Sequence, residues 1–227
     1  AAEVGKRYMK AYQSNYYIGL KYAKALCETG QYQQCISLLS KMQVLPNEGA
    51  YAGRAVYRGA NLYRAMEQLN QKSYKQALKS IEASKEWPEN LGVGKPYDNM
   101  IDSRLENYLE AKAAAGLGDK EKASALLTAI VQHKSSRPNF ESANLLSALA
   151  LRELGKTQEA DSMASAWSKD FPENRIAQWC TAIYKGENEK AASMLQVRDE
   201  QTDSAPWEAS FRDSNFDLIV RLFSNAR

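Results

Sequence analysis

The stretch GKTQEA at residues 155–160 decides the fold, because it combines a helix end with a close crossing of two helices. Glycine adopts the left-handed backbone conformation that ends many helices without steric cost. Ala160, five positions after Gly155, is small enough to let the second helix cross close to the first. Alanine- and leucine-rich segments with helical spacing flank the stretch. The pattern predicts a helix hairpin centred on this turn.

The same turn recurs along the chain, which indicates an array of hairpins. Three further copies place glycine five positions before a small residue, and a fourth has lysine in place of the glycine. These copies are GQYQQC (30–35), GDKEKA (118–123), GENEKA (186–191) and KSYKQA (72–77). Their small residues stand at positions 35, 77, 123, 160 and 191, so the period is irregular.

Two further features repeat with the turns. The first helix of each of four predicted hairpins offers a small residue opposite the one in the second helix; these residues are Ala23, Ala65, Ala111 and Ala148. Three second helices are expected to end before the prolines Pro46, Pro88 and Pro172, because proline disfavours helix in its predecessor and cannot continue the hydrogen-bond ladder. Both features support closely packed helix pairs.

These features resemble the tetratricopeptide repeat (TPR), a helix-turn-helix of about 34 residues. Ala148, Gly155, Ala160 and Pro172 stand at the spacing of that family's small, glycine, alanine and proline positions. The other copies depart from it, since the family's tryptophan near the start of the first helix is missing and Lys72 replaces a glycine. The resemblance implies an all-α, right-handed superhelical solenoid of about five TPR-like hairpins with a C-terminal capping helix.

The repeat spacing divides residues 1–227 into one predicted array. Its segments are a lead helix (1–15), repeat 1 (16–49), repeat 2 with a long loop (50–97), repeat 3 (98–137), repeat 4 (138–174), repeat 5 (175–198) and a C-terminal cap (199–227). The cap helix is expected to follow the sequence DSN at 213–215 and to cover the fifth hairpin. Its predicted apolar face consists of Phe216, Ile219, Leu222 and Phe223.

Composition limits the classes of function. Of 227 residues, 44% are hydrophobic and 25% are charged, which is typical of a globular protein. The 30 basic and 27 acidic residues are interspersed, so nucleic acid is not an expected partner. No run of about 18 apolar residues predicts a membrane span. The first residue is alanine, which favours a processed or truncated piece of a longer protein, and the cellular location is not predicted.

The glycine–lysine loop WPENLGVGKP at 87–96 could suggest a phosphate site. A phosphate-binding loop of the Walker type places GxxxxGK between a strand and a helix. Here only one residue separates Gly92 from Gly94, and Pro96 follows Lys95. The aromatic-Pro-Glu-Asn sequence that begins this loop recurs as FPEN at 171–174, where no glycine pair follows it. We therefore expect a long connection between repeats and no nucleotide site.

Candidates for other chemistry are weak. His133 is the only histidine, so it cannot form a histidine metal pair. The cysteines Cys27, Cys35 and Cys180 lack CxxC spacing and are expected to be buried and reduced. The sequence therefore predicts no catalytic, cofactor-binding or metal-binding residue.

The TPR resemblance implies a concave groove lined by the first helices. The family's groove positions fall on Tyr17, Lys24, Tyr108, Lys112, Leu145, Leu149 and Arg152. The expected function is therefore a non-catalytic scaffold that binds a protein or peptide, or an upstream domain of the same chain. Tyrosine offers a rigid ring with a polar tip, so a carbohydrate stays open as a ligand.

A second candidate surface lies at the start of the chain. We expect an apolar stripe that runs along the lead helix to the start of the next helix. Its residues are Tyr8, Met9, Tyr12 and Tyr16. One interpretation is that the stripe docks against an upstream domain, because exposed apolar patches often mark interaction sites. The alternative is that the lead helix folds back on the first hairpin near Tyr22 and Ala25.

A narrower resemblance supplies an alternative function. The sequences LPNEG (45–49), EWPENLGVGKP (86–96) and GLGDKEKA (116–123) look like the repeat region that follows a glycoside-hydrolase-like domain of unknown function in large bacterial proteins. The resemblance implies an accessory module of a carbohydrate-active enzyme whose catalytic part lies outside residues 1–227.

Overall fold

The structure is a computed structural model that describes Glu3 and residues 15–46, 50–134, 140–200 and 213–224. Within these residues all regular elements are helical, so the predicted all-α class is confirmed. The helices are α1 (Tyr16–Glu28), α2 (Tyr32–Leu39), α3 (Tyr51–Asn70), α4 (Tyr74–Lys85), α5 (Arg104–Gly116), α6 (Lys120–Gln132), α7 (Asn144–Glu153), α8 (Thr157–Asp170), α9 (Arg175–Lys185), α10 (Asn188–Glu200) and α11 (Phe216–Ser224). Short 3-10 turns occur at Glu89–Leu91 and Asp98–Met100.

Backbone contacts divide the chain into two compact units, Ala1–Ile101 and Asp102–Arg227. The described helices α1 to α4 belong to the first unit, and α5 to α11 belong to the second. That residues 1–227 form a single array stays a prediction.

The first unit packs two helix pairs against each other. Helix α1 contacts α2, α3 contacts α4, and both helices of the first pair contact α3. The turn Glu89–Leu91 also contacts α3 and adds Leu91 to the core. The apolar cluster formed with the first pair includes Leu26, Cys35 and Leu39. The loop after α4 is therefore part of this core.

The second unit repeats the pattern with three pairs. Helix α5 packs on α6, α7 on α8, and α9 on α10. In addition, α5 contacts α7 and α7 contacts α9, while α6 and α8 each contact the first helix of the next pair. A helix that opens a pair is called a first helix below. Helices α5 and α7 therefore each contact their own partner and the next first helix.

The GKTQEA turn has the geometry that the sequence predicts. Gly155 has a φ of +79°, and its N–H donates to the carbonyl of Arg152 at 3.0 Å. The N–H of Lys156 donates to the carbonyl of Leu151 at 2.9 Å, which completes a Schellman motif. The N–H of Ala160 then donates to the carbonyl of Lys156 and begins the next helix. The same three hydrogen bonds occur at the other four copies of the turn.

The turn at Lys72 keeps this geometry without glycine. Lys72 has a φ of +58°, and it is the only non-glycine residue with positive φ in the described part of the chain. Its N–H donates to the carbonyl of Leu69, as glycine does in the other copies. A left-handed conformation brings Cβ of a non-glycine residue close to the backbone. The packing of α3 on α4 therefore holds a lysine in a conformation that glycine adopts more easily.

The small residues occupy the predicted positions. All nine are buried: Ala23, Ala65, Ala111 and Ala148 in first helices, and Cys35, Ala77, Ala123, Ala160 and Ala191 in second helices. The second helices also end before the prolines, although α2 ends at Leu39, well before Pro46.

The predicted C-terminal helix is present as α11. Phe216 and Ile219 are buried as expected, while Leu222 and Phe223 are half-buried. The ring of Phe216 packs edge-on against Trp179 of α9, with ring centroids 5.4 Å apart. The helix thus contacts α9; that it covers a fifth repeat stays a prediction. The predicted lead helix (1–15) lies almost wholly outside the described residues.

The turn geometry yields the first prediction. Gly155→Ala should lower the free energy of unfolding by about 1–2 kcal/mol, because alanine must adopt a left-handed conformation there. Lys72→Gly should raise it by about 0.5–1 kcal/mol, because the gain in backbone fit exceeds the added entropy of the unfolded chain. Chemical denaturation followed by circular dichroism measures both changes.

Gly94→Ala is the matched control for these variants. Gly94 lacks the positive φ, and a Cβ at this position would meet no heavy atom within 4 Å. The same holds for the space around Gly155, so the two glycines differ in backbone conformation and not in crowding. Equal stability changes at the two positions would refute the role of the left-handed turn.

Candidate partner-binding surface

Two first helices bring Tyr108, Lys112 and Glu153 together in the second unit. Tyr108 and Lys112 are one turn apart on α5, and Glu153 is the last residue of α7. The Tyr108 hydroxyl donates to Glu153 Oε1 at 3.0 Å, and Lys112 Nζ donates to the same oxygen at 2.7 Å. Lys112 Nζ also lies 5.0 Å from the centre of the Tyr108 ring. These three residues are called the Glu153 cluster below.

Arg152 lies next to this cluster and is held against α9. Its Cζ is 4.1 Å from the centre of the Tyr184 ring, and Nη2 donates to the Tyr184 carbonyl at 3.0 Å. The Tyr184 hydroxyl donates to Asp161 Oδ1 of α8 at 2.7 Å. The Tyr184 side chain is buried while Arg152 is exposed. The guanidinium is therefore fixed in orientation and accessible to solvent.

The electrostatics of the cluster keep Tyr108 protonated. Burial raises the pKa of Tyr108 well above its usual value, and the negative charge of Glu153 and the hydrogen bond to it raise that pKa further. The positive charge of Arg152 opposes this shift but does not cancel it. At neutral pH the tyrosine is therefore a hydrogen-bond donor that holds Glu153 in place.

The other predicted groove residues of this unit differ in exposure. Leu145 is fully buried, so it supports the surface from below, and Leu149 is half-buried. Tyr108 is also buried, with 6% of its surface exposed. Among the predicted positions of this unit, Lys112 and Arg152 are the exposed ones. Their role in binding stays a prediction.

In the first unit, Tyr17 and Lys24 lie on the same helix, α1. Tyr17 is 63% exposed, and its ring stacks on Tyr16 with centroids 4.2 Å apart. Lys24 Nζ lies 3.8 Å from Glu28 Oε1, and both side chains are exposed. Tyr16 packs partly against the core of the first pair. The other candidate docking residues, Tyr8, Met9 and Tyr12, lie outside the described residues.

Sequence reasoning missed three residues that shape this surface: Glu153, Tyr184 and Asp161. A signal for two of them exists, because Glu153 and Tyr184 each stand two positions before a turn glycine, at Gly155 and Gly186. Side chains at this position lie in the last turn of neighbouring first helices, which are in contact. No comparable signal identifies Asp161.

A second polar cluster, also unforeseen, lies at the N-terminal ends of α5 and α7. Arg104 is only 3% exposed, and its Nη2 contacts Asp102 Oδ2 and Glu141 Oε2, each at 2.9 Å. Its Nη1 donates to Asn144 Oδ1 at 2.8 Å. Burial alone would raise the pKa of Asp102, but the hydrogen bonds and positive charge of Arg104 hold that pKa below its usual value. The cluster joins the starts of two first helices.

The loop WPENLGVGKP has a structural role in the first unit. Asn90 Nδ2 donates to the carbonyls of Leu39 at 2.9 Å and Met42 at 2.8 Å, and the Asn90 carbonyl accepts from the N–H of Val44. Gly92 has a φ of +74°, and a Cβ there would lie 2.6 Å from the Val44 carbonyl oxygen. The loop therefore caps the end of α2 and requires glycine for close approach.

The remaining reactive side chains are buried or dispersed. Cys27, Cys35 and Cys180 are buried and form no disulfide bond within the described residues. The neighbouring Cys27 thiol and burial raise the pKa of Cys35, and burial raises that of Cys180. His133 Nε2 lies 3.9 Å from Asp102 Oδ1. Among the described residues, no group of three or more histidine, cysteine, aspartate or glutamate side chains is arranged to hold a metal ion.

Comparison with protein-family models, with curated proteins and with solved structures finds no match to this chain. In the described part of the chain, no helix combines the length and apolar character needed to cross a membrane. Function is therefore inferred from the geometry of the chain itself.

The Glu153 cluster yields a prediction about stability and pH. Tyr108→Phe should lower the free energy of unfolding by about 1 kcal/mol at neutral pH, because it removes the hydrogen bond to a partly exposed carboxylate. The folded state raises the pKa of Tyr108 above that of an unfolded tyrosine, roughly 10. The stabilisation that comes from neutral, buried Tyr108 is therefore fully present below about pH 10, the pKa of an unfolded tyrosine, and is lost as pH rises above that value.

Urea denaturation of both chains between pH 7 and pH 11 tests this expectation. The wild-type chain should lose more stability than Tyr108→Phe at the alkaline end, so that the gap between them narrows. A gap that stays constant up to pH 11 would contradict the burial of a neutral Tyr108.

Proposed function

We propose that this chain is a non-catalytic, TPR-like scaffold that binds a segment of a protein partner through its first helices. The proposal includes a right-handed superhelix of five hairpins closed by α11. Two observations support the architecture: the five turns share one hydrogen-bond pattern, and each first helix packs on its partner and on the next first helix within its unit. This packing is typical of repeats that contact mainly their neighbours.

The orientation of Arg152 is the observation that carries the proposal. Its guanidinium stacks on Tyr184 and is exposed, and within the described residues no carboxylate lies within ion-pair distance of it. Arginine held in this way offers a planar set of donors that suits a carboxylate. The neighbouring Glu153 is engaged by Tyr108 and Lys112 instead. The guanidinium of Arg152 is therefore oriented to form an ion pair with an acidic group of a partner.

The expected ligand follows from these charges. Lys112 Nζ lies 2.7 Å from Oε1 of Glu153, the residue next to Arg152, and the Lys112 side chain is 42% exposed, so the neighbouring first helix offers a second cation to solvent. A partner segment with one or two acidic residues complements this surface. Because the Tyr108 and Tyr184 rings are buried beneath the cations, binding need not reorganise the helices. A pre-organised surface binds with a smaller entropy loss.

Charge reversal at Arg152 tests the proposal. Immobilised wild-type chain and Arg152→Glu should be compared as baits with extract of the source cells, and captured proteins identified by mass spectrometry. Arg152→Glu should no longer capture a direct partner. Titration calorimetry of the purified pair should show a dissociation constant at least tenfold higher, which is a loss of about 1.4 kcal/mol of binding free energy. Arg152→Lys should weaken binding less, because the charge remains.

Lys169→Glu is the matched control, since it makes the same charge change on a second helix, α8, where Lys169 is exposed. It should leave partner binding unchanged. Circular dichroism melts of each variant exclude loss of fold. Tyr108→Ala is unsuitable here, because removing a buried aromatic side chain costs about 3–5 kcal/mol of stability. Equal binding by wild type and Arg152→Glu would refute this surface.

A carbohydrate-binding accessory module is the second candidate function. The exposed tyrosines of the first unit favour it: Tyr17, Tyr51 and Tyr97 are each more than 60% exposed, and tyrosine rings stack on sugars. Affinity electrophoresis on soluble polysaccharides should then retard the wild-type chain, and retardation should fall for Tyr17→Ala. Migration that no polysaccharide changes would remove this candidate.

A further inference from the structure

The C-terminal residues 213–219 lie against the N-terminal ends of first helices in the second unit. Asp213 Oδ2 accepts a hydrogen bond of 2.6 Å from the backbone N–H of Ser142, just before α7. Asn215 Nδ2 lies 3.5 Å from Asp102 Oδ2, just before α5. Asp213 and Asn215 are both buried. A carboxylate at this end of α7 also interacts favourably with the helix dipole.

An aromatic contact completes the interaction. Phe216 is 4% exposed and packs edge-on against Trp179 in α9. Asp213 Oδ1 accepts from the N–H of Asn215 at 3.1 Å, which fixes the local shape of the segment. A short stretch of chain thus presents a carboxylate, an amide and a ring to three first helices.

The fit between this segment and its site is incomplete. Three buried side-chain atoms of this contact have no hydrogen-bond partner within the described residues: Ser142 Oγ, Trp179 Nε1 and Asn215 Oδ1. All three belong to residues that make the contact. A buried polar atom without a partner is unfavourable, because it has lost its hydrogen bonds to water. Ser142 Oγ and Trp179 Nε1 belong to the site, so a ligand that supplies partners for them forms two hydrogen bonds that residues 213–216 do not make.

We propose that Asp102, Ser142 and Trp179 form a peptide-recognition site, and that residues 213–216 fill it as an internal stand-in for a segment of a protein partner. The partner segment has an acidic residue for the Ser142 N–H and a hydrogen-bond donor for Asp102. It also has a large apolar or aromatic residue for Trp179, with acceptors for the Ser142 hydroxyl and the Trp179 indole N–H. This site is separate from the Arg152 surface, which lies in the last turns of the same helices.

The internal segment competes with any such partner. The apparent affinity for a ligand equals the intrinsic affinity multiplied by the fraction of molecules in which the site is open. If the segment occupies the site in more than nine molecules of ten, its release raises the apparent affinity at least tenfold. The site is therefore blocked until a better-matched segment displaces residues 213–216.

A peptide titration tests the proposal in the full chain. The probe is a fluorescent synthetic peptide with the sequence of residues 213–224, DSNFDLIVRLFS. Fluorescence anisotropy should show at least tenfold tighter binding to the chain carrying Asp213→Ala and Phe216→Ala than to the wild-type chain. The same two substitutions made in the peptide should abolish binding to the opened chain.

Hydrogen exchange verifies that α5, α7 and α9 stay protected in the opened chain. If the double variant unfolds, Asp213→Asn alone, which removes the charge and keeps the size, serves as the opening variant. Equal probe affinity for wild-type and opened chains would overturn the proposal, and so would binding that the altered peptide retains. A wild-type dimer in light scattering would assign the site to a second copy of this chain and would overturn the partner assignment.

Discussion

The left-handed residue at the end of each first helix is the constraint on which the rest of the structure depends. It closes the helix by a Schellman motif, and the carbonyl of the next residue starts the second helix. Since both helices are fixed relative to this turn, the residue five positions after the turn glycine falls at their contact and must be small. At Lys72 the same path is taken by a residue poorly suited to it, so packing outweighs the local preference. Backbone conformation and side-chain size are therefore coupled in every copy.

Much of the fold follows from sequence because its determinants are local. The turn glycines, the buried alanines and the start of α11 all depend on residues within one or two turns of each other, so spacing identifies them. The polar contacts that shape the candidate surfaces depend on pairs far apart in sequence, such as Tyr108 with Glu153 and Arg104 with Glu141. Residue type alone cannot show which charged side chain turns inward. The family resemblance implies Lys112 and Arg152 as groove residues, but it does not imply Glu153, which follows Arg152 and accepts a hydrogen bond from Lys112.

The first helices of the second unit carry different chemistry at their two ends. Their last turns hold cations supported by tyrosine rings, as Arg152 is by Tyr184. Their N-terminal ends hold a buried network around Arg104, which satisfies the charges of Asp102 and Glu141. Removing one partner from such a network leaves an uncompensated buried charge, which is strongly destabilising. Substitutions in the last turns therefore disturb the packing less than substitutions in the Arg104 network do.

Asn90 has a consequence for how the first unit folds. Most contacts between paired helices join residues close in sequence and can form early, since closing a short loop costs little entropy. The hydrogen bonds from Asn90 to Leu39 and Met42 instead close loops of 51 and 48 residues. They connect the loop after α4 to the end of the first pair. Together with the contacts of α1 and α2 with α3, these hydrogen bonds link the two hairpins, so we expect the first unit to unfold as one cooperative body.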